Sequence, residues 1–312
     1  MGDYMINNIY YYYNMYPENI CEKNKDFFFN YREEKYAFVI FVRSLDEAQP
    51  LYDLNIEMDK YNFLNHEFIL NINNKLITFI DDTPYILMKV FVNQKAKFNL
   101  YDVISINMYD LKIKDIKTLD RSSWTNLWSA KIDYFEYQIS QVGKKYPILC
   151  QYLSYYIGLA ENAISYVSNT FTEFKDIEKD NLGVTHKRIK VSDTMYDLYN
   201  PLSFVIDYKI RDFAEYIKVN FFAGIDVWPE IDYYFRNFYI SLFSRRLLYA
   251  RLLFPSYFFD VYEDIIDENT KEEKILKVIY KCNQYEKFLM DFYNLINNYN
   301  NIPQLDWLRK KL

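Results

Sequence analysis

The 312-residue chain is predicted to be an α+β protein in which a small lobe with an antiparallel sheet precedes a large, mainly helical lobe. Two patterns favour this order. Short β-rich runs separated by polar turns extend to about residue 92, whereas apolar residues recur with a helical period from Ser123 onward. We therefore expect an N-terminal lobe over residues 1–92 and a C-terminal lobe over residues 93–312.

The N-terminal lobe is predicted to contain strands around one helix. Its first two strands flank a charged turn at residues 32–35, which is typical of a hairpin. Ser44 and Glu47 have the spacing of a capping box, so a helix is expected over residues 44–65. The expected strands lie at residues 27–31, 36–43, 67–72, 76–80 and 85–92.

The C-terminal lobe is predicted to be a set of helices. An amphipathic helix from Ser123 should end at Gly143, because glycine is common just past a helix end. Pro255 should kink or break a helix over residues 244–263, and Thr270 with Glu273 should cap a long final helix. Other helices are expected over residues 147–169 and 211–222, and from residue 228.

Composition excludes several classes of function. The formal net charge of −6 gives no overall positive field to attract a phosphate backbone, so nucleic acid is not expected as a partner. The 3 cysteines are widely spaced and the chain has only 2 histidines, which argues against a disulfide framework and a zinc site. Neither a signal peptide nor an apolar run of membrane-spanning length is found, so we expect the protein to be made in a reducing cytoplasm.

Residues 184–218 resemble the catalytic centre of a small-molecule kinase of the aminoglycoside or choline type. Such kinases carry the pattern His-Gly-Asp-x-x-x-x-Asn, followed after a hairpin by Ile-Asp. His186 matches the histidine, and we expect it to be structural. Arg188 occupies the position of the catalytic Asp and Asp193 that of the metal-binding Asn. Because arginine cannot act as a base near neutral pH, the resemblance implies a loop without its general base.

Asp207 matches the metal-chelating Asp of these kinases. Together with Asp193 it could bind Mg²⁺, which prefers oxygen ligands. Alternatively, Asp207 forms an ion pair with Arg188 or Lys209 and stabilises the cleft. The sequence leaves both interpretations open.

The features that bind a nucleotide in such kinases are poorly matched. No glycine lies between residues 3 and 142, and the turn at residues 32–35 contains two carboxylates that would repel phosphate. The strand after that turn has no lysine between residues 36 and 42, and it is followed by Arg43. Arg43 could contact a phosphate, pair with Glu47 or Glu57, or lie in solvent. Met88, near the predicted lobe boundary, is a candidate hinge contact for a nucleotide.

Several motifs together resemble the CotS/YutH family of endospore coat-associated, kinase-like proteins. They lie at residues 124–136, 198–201, 205–207, 211–218 and 247–260. The resemblance implies an aminoglycoside-phosphotransferase-like fold and a role in the spore coat of an endospore-forming Firmicutes bacterium. It also implies synthesis in the mother-cell cytoplasm and other coat proteins as partners.

Three functions are therefore considered. The first is a catalytically inactive coat component, which needs no cofactor and uses aromatic surfaces to contact its partners. The second is an atypical phosphotransferase that uses ATP and Mg²⁺ to modify a small molecule or coat protein. The third is a module that binds a nucleotide or sugar without turnover. The content of 34 Tyr and 25 Phe agrees with aromatic interaction surfaces, but an AT-rich genome would also produce it.

Overall fold

The computed structural model describes residues 2–61, 65–92, 95–107, 117–174, 182–297 and 302–305. The chain divides into two compact units. The first comprises Met1–Asp120, Gly183–Arg188 and Ser192–Ile206, and the second comprises Arg121–Leu182, Ile189–Val191 and Asp207–Leu312. The predicted lobe boundary after residue 92 remains a prediction.

The first unit contains an antiparallel sheet with six strands in the described ranges, and the predicted sheet is confirmed. The order is β1-β2-β3-β6-β4, and β5 pairs with β6. The strands are β1 (Glu18–Lys23), β2 (Asp26–Tyr31), β3 (Glu34–Ile40), β4 (Glu67–Ile69), β5 (Thr78–Ile80) and β6 (Thr83–Val90).

Three hairpins of this sheet close with two-residue turns that contain no glycine. Their central residues are Asn24 and Lys25, Arg32 and Glu33, and Asp81 and Asp82, and all six have positive φ, from 47° to 67°. Two left-handed residues are typical of the type I′ turn, whose twist matches that of the flanking strands. The predicted hairpin at residues 32–35 is confirmed. A side chain in this conformation costs roughly 1–2 kcal/mol per residue.

Strand β1 forms one edge of the sheet and is mostly exposed. Its register with β2 shifts between Glu18 and Cys21, and Asn19 within this bulge has a φ of 52°. Bulges and charged side chains on an edge strand prevent its backbone from pairing with another sheet. Glu18, Glu22 and Lys23 supply the charges here.

A helix that the sequence pattern did not indicate, α1 (Gly2–Tyr13), packs against the sheet. Met5, Ile9 and Tyr13 are buried at helical spacing, and the Tyr13 hydroxyl lies 2.9 Å from Thr78 Oγ1. Asn14 ends the helix with a φ of 53°, as is common for a left-handed C-terminal residue. Residues 10–13 are four consecutive tyrosines, and aromatic residues are weak helix formers, which explains why the sequence pattern did not indicate α1.

Two further helices complete the N-terminal region. A 3₁₀ turn at Leu45–Glu47 leads into α2 (Ala48–Lys60), and α3 (Leu100–Asn107) follows the sheet. The predicted capping box is wrong, since the Ser44 side chain makes no capping hydrogen bond. The reason is that the Glu47 carboxylate is buried and accepts a hydrogen bond from Arg43 instead.

The second unit is built from helices, as predicted. The kinase-like loop lies between the strands of a two-stranded sheet, β7 (Leu182–His186) and β8 (Phe204–Tyr208), most of whose residues belong to the first unit. The first unit ends within β8 at Ile206. Helix α6 (Met195–Leu198) lies in the first unit. The helices of the second unit in the described ranges are α4 (Trp124–Val142), α5 (Pro147–Glu173), α7 (Ile210–Ala223), α8 (Trp228–Asn237), α9 (Leu242–Leu253), α10 (Ser256–Ile266), α11 (Leu276–Ile279) and α12 (Cys282–Asn297).

The predicted helix ends of the second unit are confirmed in part. Helix α4 ends just before Gly143, and Pro255 separates α9 from α10, so both predictions are confirmed. The single long helix expected from Thr270 is wrong. A 3₁₀ turn starts at Glu272, and α11 and α12 are separate helices. Within the described ranges, no helix combines the length and apolarity needed to cross a membrane.

The glycine-free turns lead to a testable prediction. Replacing Lys25 by glycine should stabilise the first unit by about 1 kcal/mol, because glycine adopts positive φ without a steric cost and Asn-Gly favours a type I′ turn. Urea unfolding followed by circular dichroism measures the change. Lys23→Gly, in the adjoining strand, is the control and should be destabilising. A Lys25→Gly variant less stable than wild type would contradict the prediction.

Candidate functional site

The kinase-like loop begins at His186, at the end of β7. His186 is 2% exposed, its Nε2 lies 2.8 Å from the Leu198 carbonyl oxygen, and its ring packs edge-on against Phe204. The Lys187 amide donates to the Ser203 carbonyl at 2.7 Å. These contacts join the start of the loop to its end. They place the histidine in a position where it organises the backbone.

Arg188, in the position of the catalytic Asp, is half-buried, and its Nη1 lies 3.5 Å from the Lys187 carbonyl oxygen. Asp193, also half-buried, precedes α6. The backbone carbonyls of Ser192 and Asp193 both accept hydrogen bonds from Lys97 Nζ, at 3.1 Å. Arg188 and Asp193 thus belong to the first unit, whereas Asp207 belongs to the second.

Arg43 is directed into the first unit and is only 8% exposed. Its Nε donates to Glu47 at 2.7 Å, and its Nη1 donates to the carbonyls of Phe204 at 2.6 Å and Leu202 at 3.1 Å. The alternative of an arginine in solvent is therefore wrong, and the pairing with Glu47 is confirmed. Because three protein acceptors engage the guanidinium, a phosphate would have to compete with them.

His66 also contacts the loop, and its only signal in the sequence was a single histidine before a predicted strand. It is fully buried, its Nε2 lies 3.0 Å from the Tyr196 carbonyl oxygen, and its amide donates to Tyr199. Its ring centroid lies 4.8 Å from that of Tyr196. Burial lowers the pKa of His66 to about 4. Arg43, His66 and Lys97 therefore attach the loop to the rest of the first unit.

Met88, the candidate hinge residue, lies in β6 and is fully buried. It stands opposite Ala37 of β3 and Phe68 of β4. Its contact with a nucleotide remains a prediction.

The order of the hairpin turns differs from the one expected. Because β1 precedes β2, the first hairpin turn of the sheet is Asn24-Lys25, and the turn at residues 32–35 is the second.

Asp207 lies in β8 and is fully buried. Oδ1 accepts hydrogen bonds from Trp124 Nε1 at 2.8 Å and from the Tyr208 amide at 2.7 Å, and Oδ2 lies 2.5 Å from Arg211 Nη1. Its basic partner is thus Arg211, rather than the expected Arg188 or Lys209. Burial raises the pKa of Asp207, while Arg211, Arg251, Trp124 and the Tyr208 amide oppose that shift.

The surroundings of Asp207 can be compared with what a Mg²⁺ site requires, because the resemblance to kinases implies this metal. Magnesium requires accessible oxygen ligands and usually keeps several waters. Both Asp207 oxygens are already engaged by donors in a position closed to solvent. In the part of the chain that the structure describes, no three His, Cys, Asp or Glu side chains converge as a metal site would require. As placed, these residues do not fit a bound magnesium ion.

The buried His66 generates a pH-dependent stability. In the folded protein its pKa is about 4, whereas an unfolded histidine has a pKa of about 6.5. As the pH falls from about 6.5 to 4, the unfolded state gains a proton that the folded state does not accept, so the free energy of unfolding decreases, by up to about 3 kcal/mol. His66→Gln keeps a donor for the Tyr196 carbonyl but does not titrate, and should remove this part of the pH dependence.

The measurement is urea unfolding of wild type and His66→Gln at several pH values between 7 and 4. Carboxylates titrate in the same range, so the informative quantity is the difference between the two proteins. Parallel stability curves would show that His66 does not carry the effect.

Comparison with known proteins shows which family this chain resembles. A family model described as "Spore coat putative kinase YutH" matches residues 6–292. The endospore coat-associated protein YutH of Bacillus subtilis (strain 168) is 29% identical over 218 residues. That match covers 63% of this chain and 64% of YutH, just under two thirds of the relative.

Solved structures agree on the fold. An aminoglycoside phosphotransferase from Alicyclobacillus acidocaldarius subsp. acidocaldarius DSM 446 is similar with a TM-score of 0.67 and 13% identity, covering 92% of this chain and 94% of that one. The AMP-bound spectinomycin phosphotransferase has a TM-score of 0.62 and 12% identity, with 92% and 98% covered. The predicted kinase-like α+β fold is thus confirmed. Since the family model spans residues 6–292, the chain belongs to the spore coat YutH family.

Proposed function

We propose that this protein is a structural component of the endospore coat that does not transfer phosphate. It would be made in the mother-cell cytoplasm and join the coat through contacts with other coat proteins. Membership of the YutH family and the name of the Bacillus subtilis relative support the coat assignment.

The observation that carries the inactive assignment is Arg188. A phosphotransferase of this fold needs a carboxylate at this position to accept or orient the proton of the substrate hydroxyl. Loss of such a base typically costs on the order of 10²–10⁴ in rate. A guanidinium cannot accept that proton near neutral pH, and it introduces a positive charge next to the acceptor.

The attachments of the loop also support a structural role. Arg43 and Lys97 donate to loop carbonyls, and His66 contacts the Tyr196 carbonyl. A loop that must rearrange around substrate would have to break these hydrogen bonds, of which those of Arg43 and His66 are at least partly buried and worth about 1 kcal/mol each. A loop that only supports the fold benefits from keeping them.

The catalytic part of the proposal is tested with ATP and Mg²⁺. Thermal unfolding should be unchanged up to millimolar nucleotide, and incubation with labelled ATP should transfer no phosphate to coat extracts. A nucleotide present at 100 times its dissociation constant would add about 2.7 kcal/mol of stability, so binding would be visible. A thermal shift without transfer would favour a nucleotide-binding module. Transfer that is lost in Asp207→Ala would establish a phosphotransferase and overturn the proposal.

The coat assignment has a separate test in sporulating cells. A fluorescent fusion of the chain should accumulate at the coat of the developing spore. The Arg188→Asp variant, which restores a carboxylate at the catalytic position, should accumulate equally, because coat contacts do not require phosphate transfer. A fusion that remains diffuse in the mother cell would contradict the structural role.

A further inference from the structure

We propose that the Arg211 guanidinium is the resident cation of the Asp207 carboxylate, in the place where a kinase of this fold would hold a metal ion. Because the cation belongs to the chain itself, the position is closed to divalent metal in the folded protein. The buried ion pair then links Asp207, near the end of β8, to helix α7. The inference concerns metal binding and goes beyond the proposed function.

The ion pair itself is short and buried. Arg211 Nη1 lies 2.5 Å from Asp207 Oδ2, and the two side chains are 7% and 0% exposed. The two residues are one helical turn apart in sequence, so the end of β8 and the first turn of α7 bring them together. A carboxylate removed from water needs a compensating charge nearby, and Arg211 supplies it.

Trp124 completes the enclosure from α4. Its indole Nε1 lies 2.8 Å from Oδ1 and 3.0 Å from Oδ2 of Asp207, while the Arg251 guanidinium lies over its ring, 5.1 Å from the centroid. A cation over the ring withdraws electron density and should make the indole N–H a better donor. Trp124 therefore couples a second guanidinium to the same carboxylate.

Arg251 is itself held in place by buried groups. Its Nε donates to Glu215 at 2.7 Å, and Glu215 also pairs with Lys218 at 2.8 Å. Lys218 is 1% exposed and donates to Ser256 at 2.7 Å. These contacts fix Arg251 over Trp124, so two cations, Arg211 and Arg251, act on Asp207. A divalent ion approaching Asp207 would meet their repulsion and would have to displace Arg211.

The test is a double-mutant cycle on the pair, measured by thermal unfolding. Arg211→Met should lower the Tm by about 10 °C, because it leaves a buried carboxylate without its partner. The double variant Asp207→Asn/Arg211→Met should recover much of that loss, since neither charge remains. The control is Arg236→Met, which breaks a pair with Asp232 of the same sequence spacing but with side chains 75% and 57% exposed. Its Tm should change by less than about 2 °C.

The competing explanation, a metal at Asp207, is tested with Mn²⁺ as a probe for Mg²⁺. Wild type should show the same Tm with and without 1 mM MnCl₂ and no bound Mn²⁺ by electron paramagnetic resonance. Bound Mn²⁺ that is lost in Asp207→Asn would overturn the inference, and so would an Arg211→Met variant as stable as wild type. If Arg211→Met does not fold, the Mn²⁺ titrations of wild type and Asp207→Asn still decide whether a divalent metal binds at Asp207. Metal binding without phosphate transfer would overturn only this inference and leave the proposed function standing.

Discussion

A negative charge at the end of a buried strand has to be compensated, and at Asp207 side chains from two helices of the second unit do this. Asp207 is fully buried, and its carboxylate is reached by Trp124 from α4 and by Arg211 from α7. Removing one partner of such a pair is far more costly than removing both. The positions of α4 and α7 around β8 are therefore linked through one carboxylate. Arg251 extends the linkage to α9 through its contact with the Trp124 ring.

In the first unit, backbone carbonyl groups of the kinase-like loop are contacted by side chains from elsewhere in the unit. The loop between β7 and β8 contains α6 and a 3₁₀ turn at Pro201–Ser203. Side chains of Arg43, His66 and Lys97 reach its carbonyl oxygens. Arg43 follows the strand where a kinase would present a phosphate-binding lysine, yet it donates to Phe204 and Leu202. In both units, groups that would serve a ligand in a phosphotransferase are engaged by the protein itself. This shared feature supports the proposed structural role.

The sequence predicts the parts of the molecule that depend on local patterns. Alternating β-rich runs located the hairpin at residues 32–35, and Pro255 located a helix break. Helix α1 was missed because its tyrosines have weak helix propensity, and its stability depends on packing of Met5, Ile9 and Tyr13 against the sheet. At the site, the resemblance to kinases singled out Asp207, but not its partner Arg211 in the first turn of α7. The role of His66 depends on Tyr196, 130 residues away, and no local pattern contains that information.

The bulged edge strand β1 affects how molecules of this chain would contact one another when crowded together. In the proposed coat role many chains would lie at high local density for long periods, and an unprotected sheet edge would then join other edges into continuous sheets. In this chain the bulge at Asn19 and the charges of Glu18 and Glu22 oppose that route. Neighbouring molecules would then recognise one another through side chains, whose chemistry differs from protein to protein. Backbone pairing, by contrast, is nearly indifferent to sequence, so a blunted edge favours ordered assembly over aggregation.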